Sequence, residues 1–193
     1  MRKNSMPQQL RSFDDILEHA RRTPLPRMAV AAAEEPAVIA AAAHAMREGL
    51  VLPILVGNVE DIRRIADSEG IDITAMELVD APDFVIASAH AVKLVHDGEA
   101  ELVMKGLVKT KDFLRAVLDQ EFGIRGGRPL SHVSVFESPD RSRLMFMTDC
   151  GINIRPRFNR KIAIIKNALD LAWAMGIEEP KVAVIAAVET LQL

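Results

Sequence analysis

Short apolar runs alternate with longer segments in which apolar residues recur every three or four positions. Met28 to Ala33, Leu52 to Val56, Met76 to Val79 and Leu102 to Met104 have the length of buried strands. Phe13 to Arg22, Glu35 to Glu48, Val59 to Glu69 and the segment from Phe84 to just before Gly98 carry the helical period. Ser12 is placed to cap the first helix, with Asp14 and Asp15 in its first turn, and Pro24 and Pro26 stop it. Gly49 and Gly70 sit where helices end in a left-handed residue. Strands alternating with amphipathic helices predict β-α units around a mainly parallel sheet. Such sheets bind ligands at the carboxyl ends of their strands.

The last of these strands runs into a basic stretch. Lys105-Gly106 follow it directly, Lys109 and Thr110 lead on, and a helical pattern covers Asp112 to Gln120. A glycine-rich turn from Gly123 to Arg128 comes next. Thr110 reads as the cap of the helix. Lys105, Lys109, Lys111, Arg115, Arg125 and Arg128 stand against Asp112, Asp119 and Glu121. Cations beside a helix start suit an anion such as phosphate. The same residues also fit solvated charges on an ordinary amphipathic helix, and the pattern alone leaves both readings open.

After Pro129 the rhythm changes. Ser131 to Glu137 and Arg143 to Thr148 read as a hairpin turned at Ser138-Pro139-Asp140. Asp149 to Asn153 is a polar, turn-forming loop, whose acid and amide either serve a ligand or only fix their own turn. Arg157 to Met175 is a long helix with Ile162, Ile165, Ala168, Leu169 and Ala172 inward, and Lys181 to Ala187 is a final strand. This predicts a loose leader over 1–11, a first α/β domain over 12–129 and an incomplete second one over 130–193.

Composition narrows the classes. With 193 residues and 49% apolar residues the chain can build a substantial core. A net charge of −3 argues against a broad nucleic-acid surface, though not against a small anion at a local patch. The single cysteine, Cys150, forms no internal disulfide and reads as a small buried residue without a histidine near it in sequence. The polar start and the lack of any run of about 20 apolar residues point to a cytoplasmic protein that does not span a membrane. His19, His44, His90, His96 and His132 lack metal-ligand spacing, so no metal is expected. The Gly123 to Gly127 turn follows a helix instead of opening one after a strand, which excludes a dinucleotide fingerprint.

Several stretches in order carry a resemblance. They are PILVGNVEDIRRIADSEGID from Pro53, MKGLVKTKDFLRAVL from Met104, LSHVSVFE from Leu130, RLMFMTDCGINIRP from Arg143, and KIAIIKNALDLAWAMGIEEPKVAVIAAVET from Lys161. Together they resemble the phosphate acetyltransferase and phosphate butyryltransferase family over about Phe13 to Thr190, on the butyryl side. The resemblance implies a parallel-sheet, three-layer α/β domain and a second α/β domain, an isocitrate/isopropylmalate dehydrogenase-like architecture. It implies the reaction acyl-CoA plus orthophosphate to acyl phosphate plus CoA, with CoA as substrate, no tightly bound cofactor, and a homodimer. Lys105, Gly106, Thr110 and Arg115 match its cleft segment, and Asp149, Asn153 and Pro156 its second-domain loop. Arg128 is added as a cation of the glycine-rich turn, read either as a contact to CoA phosphates or as a solvated loop charge, while Asn167 and Glu189 match positions of unassigned role. The family's catalytic Ser, Arg and Asp belong to a segment beyond this sequence. The expectation is therefore a truncated chain that is weak or inactive, or a non-catalytic paralogue that binds CoA or acyl phosphate or only dimerises.

Overall fold

The computed structural model describes residues 9–185. The chain divides into two compact units. One is Leu17–Arg128; the other joins the residues up to Ile16 with those from Pro129 onward.

Helix α1 (Phe13–Arg21) begins as the pattern predicts, with Ser12 Oγ accepting from Asp15 N–H at 3.1 Å. The first unit then runs β1 (Arg27–Ala31), α2 (Pro36–Arg47), β2 (Leu52–Gly57), α3 (Val59–Glu69), β3 (Glu77–Asp80), α4 (Phe84–His96), β4 (Leu102–Lys105) and α5 (Thr110–Val117). All four strands are parallel, in the order β3-β2-β1-β4. Central β1 pairs with β2 from Arg27 opposite Leu52 to Ala31 opposite Val56, and with β4 from Met28 opposite Leu102 to Ala31 opposite Lys105.

Because side chains alternate along a strand, β1 feeds two cores at once. Val30 and Leu55 pack with Ile39, Ala42, Ala43, Ile62 and Ala66, which places α2 and α3 on one face. Ala29, Ala31, Ile54 and Val56 pack with Ala87 and Ala91 of α4 on the other. Alanine on both sides of that second layer lets helix and sheet approach closely. Side chains cap the starts of α3 and α4. Asn58 Oδ1 accepts from Asp61 N–H at 3.0 Å at the start of α3, and Asp83 Oδ1 from Val85 and Ile86 N–H at the start of α4. The result is a four-stranded parallel sheet between helices, the three-layer α/β arrangement expected.

In the second unit β5 (Val133–Glu137) and β6 (Leu144–Thr148) form an antiparallel hairpin, and α6 (Phe158–Ala174) packs on β6. Asp140 organises the turn, accepting from Ser138 Oγ at 2.6 Å and from Ser142 Oγ at 2.8 Å. Leu144, Ile164 and Ala172 are buried.

Four expectations need correction. The helix after β4 spans Thr110 to Val117, not Asp112 to Gln120. Asp119 Oδ1 takes the N–H groups of Glu121 and Phe122, so the chain turns there. Lys109 holds the extended cap position, without a side-chain cap bond, and Thr110 is the first helical residue rather than the cap. Ile162 faces solvent while Ile164 is buried, because α6 has the hairpin to pack against. Residues 181–185 form no strand, and Val182, Val184 and Ile185 are exposed, whereas a strand needs a neighbour for its backbone groups. Residues 186 and 187 of that expected strand lie outside the described residues, as does Glu189.

Candidate functional site

In a sheet of order β3-β2-β1-β4 the chain leaves β1 in one direction and returns on its other side at β4. The crevice beyond the carboxyl ends of these strands is the place where open α/β sheets hold ligands.

Glycine makes that edge possible. Gly106 N–H donates to Ala31 O at 2.8 Å and Leu107 N–H to Ala32 O at 2.7 Å, so the loop after β4 lies directly on the end of β1. A Cβ at position 106 would sit 2.2 Å from Ala32 O, so only glycine permits the approach. Lys105 Nζ donates to Val108 O at 2.9 Å and to Gly106 O at 3.2 Å, and so holds the turn it precedes. Arg115 pairs with Asp112 at 3.1 Å on the exposed side of α5. Lys105, Gly106, Thr110 and Arg115 thus share one strand-turn-helix segment. Arg128 closes the unit at the end of the glycine-rich turn.

The loops after β1 and β2 contribute a residue that the sequence pattern did not single out. Glu34 is 92% buried, and its Oε1 accepts from Asn58 N–H at 2.6 Å. Its other oxygen, Oε2, is buried without a hydrogen-bond partner. Gly57 makes room for the carboxylate, since a Cβ there would lie 2.5 Å from Oε2. Glu34 lines a cavity of about 260 Å³ whose apolar walls are Ile65, Pro82, Phe84 and Leu107. At the same cavity Asp61 pairs with Arg64 at 2.6 Å. The available signal was an acid lodged between an apolar strand and the proline that opens a helix.

In the other unit the structure brings Asp149 and Asn153 together. Asn153 Nδ2 donates to Asp149 Oδ2 and to Leu130 O, the latter at 3.0 Å. Asp149 Oδ1 accepts from Gly151 and Ile152 N–H, each at 3.0 Å. Burial pushes the Asp149 carboxyl up. The hydrogen bonds from Gly151, Asn153, Ile152 and the His132 backbone outweigh that and hold it below the usual value. Asp149 is therefore an ionised acid that orders its loop. Asn167 Nδ2 ties α6 to Pro129 O at 2.9 Å and Ser131 Oγ at 2.8 Å. Cys150 is exposed, not buried as expected, with Sγ donating to Met147 O at 3.3 Å. The lead-in and first turn of α6 set Arg155, Arg157 and Arg160 with Phe158 around an open hollow, a second basic patch that the sequence pattern did not mark. Among the described residues no three His, Cys, Asp or Glu side chains converge as metal ligands, and no helix is long and apolar enough to cross a membrane.

A doubly wound parallel sheet with a basic segment and a glycine-tight turn at its carboxyl edge defines a protein of the α/β class. Comparison with known proteins narrows the class. The family model described as "Phosphate acetyl/butaryl transferase" matches residues 12–86 and 85–192, and the chain belongs to that family. It is 42% identical over 182 residues to the phosphate butyryltransferase of Clostridium acetobutylicum, covering 94% of this chain and 60% of that protein. It is 38% identical over 175 residues to a phosphate acetyltransferase of Rhizobium meliloti, covering 85% of this chain and 55% of the relative. A branched-chain phosphotransacylase from Enterococcus faecalis has a similar fold, with TM-score 0.71 at 24% identity over 87% of this chain and 58% of its own. The chain thus spans somewhat more than half the length of these relatives.

Proposed function

We propose that the chain handles acyl-CoA and orthophosphate in the reaction acyl-CoA plus orthophosphate to acyl phosphate plus CoA, with acetyl or butyryl as the acyl group. One observation carries this: 42% identity to a phosphate butyryltransferase over 94% of the chain. In this reading a phosphate oxygen bonds to the acyl carbon, the carbon–sulfur bond breaks, and sulfur leaves with its electron pair and takes up the proton that orthophosphate gives up, becoming the CoA thiol. Lys105, Arg115 and Arg128 supply charge-assisted hydrogen bonds to the phosphate groups. Gly106 and Thr110 shape the turn that carries them, and Asp149 and Asn153 present a second, pre-ordered ligand surface. CoA is a substrate, no cofactor is held tightly, and the working form is a cytoplasmic homodimer.

The test is orthophosphate-dependent release of CoA from butyryl-CoA and acetyl-CoA. It is run on the 193-residue chain and on the protein extended to the length of its relatives. The extended protein is expected to turn over, with the 193-residue chain slower or silent. No release from either form, with either acyl-CoA, would sink the proposal.

A further inference from the structure

We infer that the cavity at the carboxyl ends of β1 and β2 is a binding pocket for a ligand group that carries an N–H or O–H donor on an apolar body, and that Glu34 recognises that donor. A buried hydrogen-bonding group left without a partner is destabilising by about 1–3 kcal/mol, and more when charged. Native structures keep few such groups, and each asks for an explanation. Here the chain builds the exception in. Asn58 N–H anchors Oε1, Gly57 clears the space beside Oε2, and Glu34 is one of the residues that line the cavity. The last torsion of a glutamate is soft, so a small turn brings Oε2 toward a donor while Oε1 keeps its bond to Asn58 N–H.

The walls restrict what enters. A carboxylate accepts hydrogen bonds and repels anions, and the only guanidinium at the cavity, Arg64, is already paired with Asp61. A phosphate is therefore the wrong occupant, which separates this pocket from the basic segment around Lys105 and Arg115. Ile65, Pro82, Phe84 and Leu107 offer carbon surface instead. Resting on the acyl-CoA proposal above, the groups of that substrate with this chemistry are the amide N–H groups of its pantetheine arm and the exocyclic amine of its adenine.

Two variants test the inference. In Glu34→Gln an amide oxygen still accepts from Asn58 while an amide nitrogen replaces Oε2, so the shape stays and the acceptor becomes a donor. Leu107→Trp fills the cavity and leaves Glu34 alone. Both are titrated calorimetrically with CoA, pantetheine and adenosine, after circular dichroism confirms wild-type folding. CoA is expected to bind at least tenfold more weakly to both variants. Loss of pantetheine binding in Glu34→Gln assigns the amide as the donor, and loss of adenosine binding assigns the amine. Unchanged CoA affinity in a folded Leu107→Trp or Glu34→Gln protein overturns the inference and leaves the acyltransferase proposal standing. A wild-type chain that binds no CoA overturns this inference, while CoA release by the extended protein decides the acyltransferase proposal separately.

Discussion

Replacing Gly106 with alanine tests how the edge of the sheet is built. The added Cβ would lie 2.2 Å from Ala32 O and 2.7 Å from Ala31 O, where ordinary contacts begin at 3.4 Å. Both carbonyls accept the bonds that seat the loop on β1, from Leu107 and Gly106 N–H respectively. Neither oxygen can move away without weakening its bond, because β1 is the central strand. Overpacking of this kind destabilises by about 1–3 kcal/mol, and each backbone bond lost adds about 1 kcal/mol. The expected sum is about 2–4 kcal/mol, a fall in the urea midpoint of roughly 1–2 M at the slopes usual for small domains. Gly126→Ala is the control, since nothing lies within 4 Å of its added Cβ. Urea titration followed by circular dichroism reads both variants. A Gly106→Ala protein within about 0.5 kcal/mol of wild type, the range of neutral surface changes, would refute the close-approach reasoning.

Three other perturbations follow the same logic. Asn58→Ala removes the cap that accepts Asp61 N–H and should lower stability by about 1 kcal/mol, with Asn58→Asp retaining most of it in the same titration. Leu55→Ala empties a fully buried position and should lower stability by about 2–5 kcal/mol, and a loss under 1 kcal/mol, too small for such a cavity, would contradict the two-faced core. Asp140 is held down to about 2 by hydrogen bonds from Ser138 Oγ, then Ser142 Oγ and N–H. A lowered carboxyl stabilises fully above its ordinary value of 3.8, and the contribution is lost as pH falls toward about 2. Carboxyl NMR should find that low midpoint, and Ser138→Ala should raise it; a wild-type midpoint at 3.8 would refute the turn geometry.

Much of the fold was legible because each element solves a local problem visible in composition. The β1 run is apolar on both faces, and a strand buried between two helix layers must be. Ser12 and the glycines after the second and third helices mark helix ends through backbone chemistry that needs no tertiary information. The misplaced start of α5 has the opposite origin. Lys109 occupies the cap position without a side-chain bond, so nothing in its identity announces it. The inward set assigned to α6 failed at Ile162 because periodicity marks an apolar stripe but not which edge of it finds a partner.

The site divides in the same way. Lys105 and Gly106 were visible as a strand followed by a basic turn. Their shared dependence on the end of β1 was not, because it rests on contacts about 75 residues apart in sequence, Gly106 to Ala31 and Leu107 to Ala32. Asp149 and Asn153 were visible as a polar loop, and the structure adds that they bond to each other. Glu34 was hidden because acids next to helix starts are commonplace and usually solvated. Only three-dimensional packing shows one of its oxygens buried against Gly57.

Whether the basic segment after β4 holds CoA is tested by calorimetric titration of CoA into the wild-type chain and into Lys105→Ala and Arg115→Ala. Losing one charge-assisted bond is worth about 1.5–3 kcal/mol, a weakening of roughly tenfold to a hundredfold. Saturable binding by the wild-type chain is expected, weakened to that extent by both substitutions. Absent binding, or binding that neither substitution changes, would contradict that reading.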